Sequence, residues 1–177
     1  MKHKTVLFMA ALFLFLSGCS SSSLFPMNGS QALKSESEFG VLTTQPDAFQ
    51  GRAIKLAGRI VGVETTAEGT VVTAEWLPYP DVEYVGPTGT AAESSGLFVL
   101  FYPGQLDAEG KKYGNKFLVI GEKEQSQSIA AVRGTSSSLP HIAARCLHVW
   151  KTGNNEIETE SYTEYFYPAE ETYCSDI

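Results

Sequence analysis

Hydrophobic and polar positions divide the chain into an apolar leader, a polar stretch and a series of short alternating segments. Val6 through Leu16 is an unbroken run of 11 apolar residues behind Lys2, His3 and Lys4. At about 1.5 Å per residue, a helix over this run covers roughly half of a ~30 Å hydrocarbon core. The run therefore fits the h-region of a signal peptide and not a spanning helix. Ser20 to about Glu38 lacks periodicity and reads as a flexible tether, so the folded body is expected from Phe39. Gln45 to Gly51 is turn chemistry or one short helical turn. From Arg52 to Glu64 the pattern has period two: Ile54, Leu56, Gly58 and Ile60 share one face, Lys55 and Arg59 the other. Val61 and Val63 then switch the apolar parity beside Gly58 and Gly62, which predicts a bulge or sharp bend. Ala67-Glu68-Gly69 turns the chain into a second strand, Thr70 to Leu77, rich in β-branched residues.

Pro78 to Ser95, punctuated by three prolines and two glycines, predicts a long irregular loop. Further strands are expected over Gly96–Tyr102, Lys116–Gly121 and Pro140–Lys151, with Ile129–Val132 as an additional candidate and Leu106–Gly110 as one helical turn. No amphipathic helix of ordinary length is visible in this region. Short strands with Gly/Pro punctuation predict an all-β chain, a small OB-like barrel of about five to six strands. The expected organisation is a signal peptide over 1–18, a lipidated cysteine and flexible tether over 19–38, and one barrel domain over 39–177 with an acidic, tyrosine-rich C-terminal extension.

The leader closes on Leu16-Ser17-Gly18-Cys19, followed by Ser20 to Ser23. Small residues before the cut suit signal cleavage. The added cysteine resembles the bacterial lipobox, in which cleavage between Gly18 and Cys19 leaves the cysteine as a lipidated first residue. Lipidation converts the expectation from spanning to anchored. One acyl chain holds marginally and two or more hold stably, and the resemblance implies several, palmitate among them, on Cys19. Ser20 stands where an aspartate would retain a lipoprotein at the inner membrane, so by analogy the destination is the outer membrane, with the domain on its periplasmic face.

Charge narrows the partners. Removing the signal takes away Lys2 and Lys4, leaving 11 basic residues of the original 13 against 20 acids, a net of −9. Nucleic acid, which needs clustered Lys/Arg, is not an expected partner, and neither is docking by charge onto anionic lipid. With Cys19 committed to lipid, Cys146 and Cys174 remain, an even pair in an oxidising compartment. A disulfide between them and a pair of unlinked thiols are both open readings.

Candidate chemistry is sparse. Strict alternation puts Ile142, Ala144, Cys146, His148 and Trp150 on one face of the last strand, with His141, Arg145 and Val149 on the other. Cys146 and His148 could then face one ion, but two ligands fall short of the three or four that zinc takes. There is no Gly-x-Ser-x-Gly elbow, no P-loop and no dinucleotide fingerprint, and no pattern pairs two carboxylates. No catalytic, cofactor-binding or metal residue is assigned, and the chain is expected not to be an enzyme. The segment Glu156–Asp176 carries seven acids with Tyr162, Tyr165, Phe166, Tyr167 and Tyr173. These aromatics are expected to cover a barrel end, the alternative being a grip on a glycan or basic partner.

From Pro46 to Trp150 the chain resembles the Slp (starvation-inducible) outer-membrane lipoproteins. The resemblance rests on Gly51-Arg52-Ala53-Ile54-Lys55-Leu56-Ala57-Gly58-Arg59-Ile60, Leu77-Pro78, Gly96-Leu97-Phe98, Leu106-Asp107, Tyr113-Gly114 and Val119-Ile120-Gly121. Its most specific part is Leu139-Pro140-His141-Ile142-Ala143-Ala144 with His148-Val149-Trp150. Cys146, Cys174 and the acidic tail lie outside that pattern. The resemblance implies an envelope location, an association with stress or stationary phase and no established enzymatic activity. Two functions are expected: a structural or protein-interaction module of the envelope, or a binding module for an oligosaccharide, peptidoglycan fragment or other small solute, using the Pro78–Ser95 loop and an OB-like face.

Overall fold

The computed structural model describes residues 24–25, 33–34, 39–45, 49, 52–89, 96–124, 139–153 and 168–175. The signal sequence with Gly18 and Cys19, the candidate strand Ile129–Val132 and the aromatics Tyr162 to Tyr167 lie outside them. The elements are β1 (Leu33–Lys34), α1 (Phe39–Thr44), β2 (Ala53–Thr65), β3 (Thr70–Leu77), β4 (Leu97–Tyr102), β5 (Lys116–Lys123), β6 (His141–Trp150) and β7 (Glu170–Cys174). Their order across the sheet is β2-β3-β4-β6-β5, and β2 also pairs with β5, which closes a five-stranded barrel. All these pairings are antiparallel except β4 with β6, which is parallel. The fold is the small OB-like, all-β barrel expected from the strand pattern.

Strand β2 reaches both neighbours because it is long and bends. Its register against β3 shifts between Ile60 and Gly62, leaving Val61 as the extra residue of a bulge. Ile54, Leu56 and Ile60 point inward before the bulge, and Val63 packs against the same core after it. Gly58 lies on the inward face where Phe98 and Phe117 converge. A Cβ there would come within 2.8 Å of the Phe117 ring and 2.9 Å of the Glu75 carbonyl oxygen. The glycine makes room for two large rings that meet edge to face, 6.1 Å between centroids.

A second register shift corrects the simple alternation of β6. Ile120 pairs with Cys146 and Gly121 with Ala144, so Arg145 is the extra residue. Ile142 and Ala144 face the barrel core before it, Leu147 and Val149 after it. Cys146, His148 and Trp150 do share a face, but it is the outer one, opposite to Ile142 and Ala144. One extra residue reverses every later side chain because the period of a strand is two.

Helix α1 closes one mouth of the barrel. Phe39 and Leu42 are buried; Phe39 stacks on Trp76 at 5.5 Å and meets Phe98 edge-on at 6.1 Å. Lys123 Nζ donates to the Leu42 carbonyl at 2.9 Å, satisfying a carbonyl near the helix end.

The barrel seam lies between β4 and β6. Only Val99–Phe101 of β4 pairs with His141–Ala143 of β6. Where β4 leaves off, β7 takes over the same edge, pairing antiparallel from Cys146↔Cys174 to Trp150↔Glu170. A terminal segment with no apolar alternation thus fills the gap and covers an edge that would otherwise expose unpaired backbone groups. The expected tether also shows two exceptions. Leu33–Lys34 pairs in parallel with Ile54–Lys55, and Phe25 is buried on the barrel's outer wall.

Candidate functional site

The outer faces of β2, β5 and β6 form a wall with its own apolar cluster. Ala57 from β2, Leu118 and Ile120 from β5, and Trp150 from β6 meet Leu77, Tyr79 and Phe25, with Leu24 and Cys146 packed at the margin. Phe25 is 2% exposed and Trp150 fully buried. The segment from Pro78 to Gly89 folds down over this wall. Gly86, at φ 78°, sits directly on the indole: a Cβ there would meet the Trp150 ring at 3.1 Å. The positive φ and the ring together require glycine at this position.

Polar bonds hold the loop down. Lys55 Nζ donates to Glu83 Oε1 at 2.7 Å, Tyr79 Oη to the same oxygen at 2.9 Å, and Lys116 Nζ to the Gly89 carbonyl at 3.3 Å. Burial raises the Tyr79 pKa well above the ordinary phenol range, and the Glu83 carboxylate adds to the rise. Tyr79 is therefore a neutral donor to Glu83. The loop crest faces outward, with Val82 43% and Tyr84 61% exposed.

The opposite margin of the wall carries His148 and the cysteines. His148 Nδ1 lies 2.6 Å from Thr172 Oγ1, and its Nε2 is 3.6 Å from Glu170 Oε2. Its ring meets Trp150 edge-on at 4.4 Å. Burial lowers the His148 pKa, and Glu170 offsets part of that effect. Cys146 and Cys174 are joined in a disulfide between directly opposed residues, with Cα atoms 4.1 Å apart. In this state Cys146 offers no thiolate to an ion, so the Cys146–His148 juxtaposition is structural. Among the described residues no group of three or more His, Cys, Asp or Glu could hold a metal.

A separate polar cluster tops the barrel. Lys151 Nζ donates to Asp107 Oδ2 at 2.9 Å and Glu171 Oε2 at 2.7 Å. Tyr173 Oη donates to Asp107 Oδ1 at 2.9 Å, and its ring crosses Tyr102 at 6.4 Å. The Lys151 ammonium and the Gly110 amide hold Asp107 down to about 2. Tyr173 thus packs against the barrel core; the other tail aromatics, expected to cover a barrel end, lie outside the described residues.

Sequence reasoning brought Cys146, His148 and Trp150 to one face but missed the partners that make the wall. The one available signal was Leu24-Phe25-Pro26-Met27, an apolar block inside an otherwise polar stretch. Comparison with curated proteins and with solved structures yields no match. The family model for outer membrane lipoprotein Slp family matches residues 16–175, from just before Cys19 through β7. On that match the chain belongs to the Slp family of outer membrane lipoproteins.

Proposed function

We propose that the protein is cleaved between Gly18 and Cys19, lipidated on Cys19, and held on the periplasmic face of the outer membrane as a non-catalytic structural or protein-interaction module. The observation that carries this reading is the family match beginning at residue 16, which takes in the lipobox as well as the barrel. The barrel interior is filled with side chains, including Phe98, Leu100, Phe117 and Val149, which suits a packed scaffold. The polar clusters serve the fold: Lys55 and Tyr79 hold the loop, while Lys151 and Tyr173 hold β7. A binding module for an oligosaccharide, peptidoglycan fragment or other small solute calls for aromatic rings lining a groove beside the loop. Tyr79 and Trp150 are instead buried in the wall cluster, and Tyr84 stands on the outward loop crest, which favours the interaction module. Synthesis under starvation or in stationary phase belongs to the same proposal.

Labelling with radioactive palmitate, followed by density-gradient separation of the two membranes, tests the anchor. The natural chain is expected to carry label and band with the outer membrane. Cys19→Ala is expected to lose the label and leave that fraction. Continued outer-membrane banding of the unlabelled variant would sink the lipid reading. Cross-linking in intact cells tests the module, because a barrel that yields no reproducible protein adduct would not be an interaction module.

A further inference from the structure

The buried Phe25 has a consequence for how the lipidated protein sits on its membrane. Phe25 follows Cys19 by six residues, and fully extended chain covers at most about 3.3–3.6 Å per residue. The lipidated cysteine therefore lies within about 22 Å of the outer-wall cluster. A domain of about 140 residues has a radius of gyration near 14 Å. A sphere with that radius of gyration has a radius of about 18 Å, so reaching from the Phe25 wall to the opposite side of the barrel means travelling around about 57 Å of surface. The leash is less than half that, and part of it is taken up in crossing the headgroup layer, roughly 5–8 Å deep. With Phe25 seated, the wall bearing it faces the bilayer.

That wall is where the Pro78–Gly89 loop is strapped down. Tyr79 belongs to the same cluster as Phe25, and Val82 and Tyr84 follow it by three and five residues. Val82 and Tyr84 are two of the four exposed large hydrophobic residues among those described. Glu83, between them, is occupied by Lys55 and Tyr79. An outward tyrosine with an apolar neighbour suits the headgroup level, where one end of the ring is wet and the other apolar. The net charge of −9 that cleavage would leave argues against attraction to an anionic surface as the cause.

We propose that the Pro78–Gly89 loop is the bilayer-contacting edge of the lipidated protein, with Val82 and Tyr84 seated in the headgroup layer of a zwitterionic lipid surface. This rests on the Cys19 anchor proposed above. Short tether, Phe25 and loop act together, so the domain stands in one orientation and presents its opposite side, outer β3 and β4, to the periplasm.

The test uses full-length lipidated protein in vesicles of phosphatidylcholine, some of it brominated on the acyl chains to quench tryptophan. Tyr84→Trp reports on the loop, and Leu97→Trp on outer β4, which lies across the barrel from the paired β2 and β5. Quenching is read against the parent chain with its own Trp76 and Trp150. Tyr84→Trp is expected to be quenched several-fold more than Leu97→Trp. Adding Phe25→Ala is expected to abolish that difference while the protein still floats with the vesicles. Equal quenching at the two positions, or a difference that survives Phe25→Ala, would overturn the inference. Failure of the parent protein to float would instead remove the anchor, and the docking with it, on a separate readout.

Discussion

Inside the barrel, Ile54, Leu56, Val72, Phe98, Leu100, Phe117 and Val149 come from five strands that each contribute alternate residues. On the outer wall, Phe25, Leu77, Tyr79, Leu118 and Trp150 come from the polar stretch after the leader, a strand end, a loop and two strands. Both clusters are buried, but they are assembled by different rules. The interior follows from local periodicity, since any strand of the right pattern must turn that face inward. The wall depends on pieces far apart in sequence and on polar groups kept dry beneath a loop. The Trp150 indole nitrogen and His148 Nε2 are buried with no hydrogen-bond partner, a state that costs free energy. The interior should therefore govern whether the chain folds, and the wall how the folded barrel is covered and oriented.

The largest effect should come from the interior. Phe98 is fully buried between Phe39 and Phe117. Phe98→Ala is expected to lower unfolding free energy by about 3–5 kcal/mol, from lost burial plus the cavity left behind. That is a large share of the ~5–15 kcal/mol available to a domain, so urea denaturation of the soluble domain should show it directly. A loss no larger than that of Phe25→Ala would break the distinction between the two clusters.

The disulfide comes next. Cys146 and Cys174 are 28 residues apart, and closing such a loop contributes about 3.5 kcal/mol on the chain-entropy estimate. Changing both cysteines to alanine is expected to lower stability by up to that amount and to raise amide exchange in β7 and the facing half of β6. Exchange in β2 and β3, inside the closed barrel, should change much less. Mass spectrometry of the non-reduced protein should recover the cross-linked peptide. Uniform loss of protection across all strands would mean that β7 is part of the barrel's cooperative core and not a cover for its seam.

A smaller effect is expected at Phe25. Full burial of such a side chain contributes about 1.5–3 kcal/mol, but here the segment can detach instead of leaving a cavity. Phe25→Ala is expected to cost about 2 kcal/mol and to shift Trp150 fluorescence to the red. A large loss with no change in tryptophan emission would show that Phe25 supports the barrel itself.

These two clusters also explain what could be read from the chain. Strands β2 to β6, the bulge at Val61 and the OB-like closure were legible because alternation and Gly/Pro punctuation are local signals. The bulge at Arg145 was not, since Ile142, Ala144 and Cys146 continue one alternation straight through Arg145, with no glycine or proline to mark a bend. Strand β7 was hidden because Glu170 to Cys174 lacks an apolar stripe; its place is set by β6 and by Lys151 bonding Glu171 and Asp107. Helix α1 is six residues long, too short for periodicity to declare it, and Phe39 is fixed by Trp76 and Phe98 instead. The wall was the least legible part, because Phe25 and Trp150 are separated by most of the chain.

The smallest effect separates the wall from the polar cluster at the barrel end by pH. His148 on the wall is held below its ordinary 6.5, chiefly by burial, and His141 is lowered for the same reason. A lowered histidine pKa means that the unfolded chain binds more protons than the folded one between the two values. Stability from these residues is full above about 6.5 and falls as pH drops below it. Asp107 is also lowered, from 3.8 to about 2. Its contribution is present above 3.8 and is lost as pH falls toward 2. The carboxylate is exposed, so solvent screening keeps that contribution small. Acidification should therefore weaken the protein in two steps, a histidine step beginning near pH 6.5 and a fainter carboxylate step below pH 4. His148→Gln is expected to reduce the first and leave the second, whereas Asp107→Asn should do the reverse. Denaturation midpoints from pH 8 to pH 2 measure both, and a first step unchanged in His148→Gln would assign it to His141 and take the pH sensitivity off the Trp150 wall.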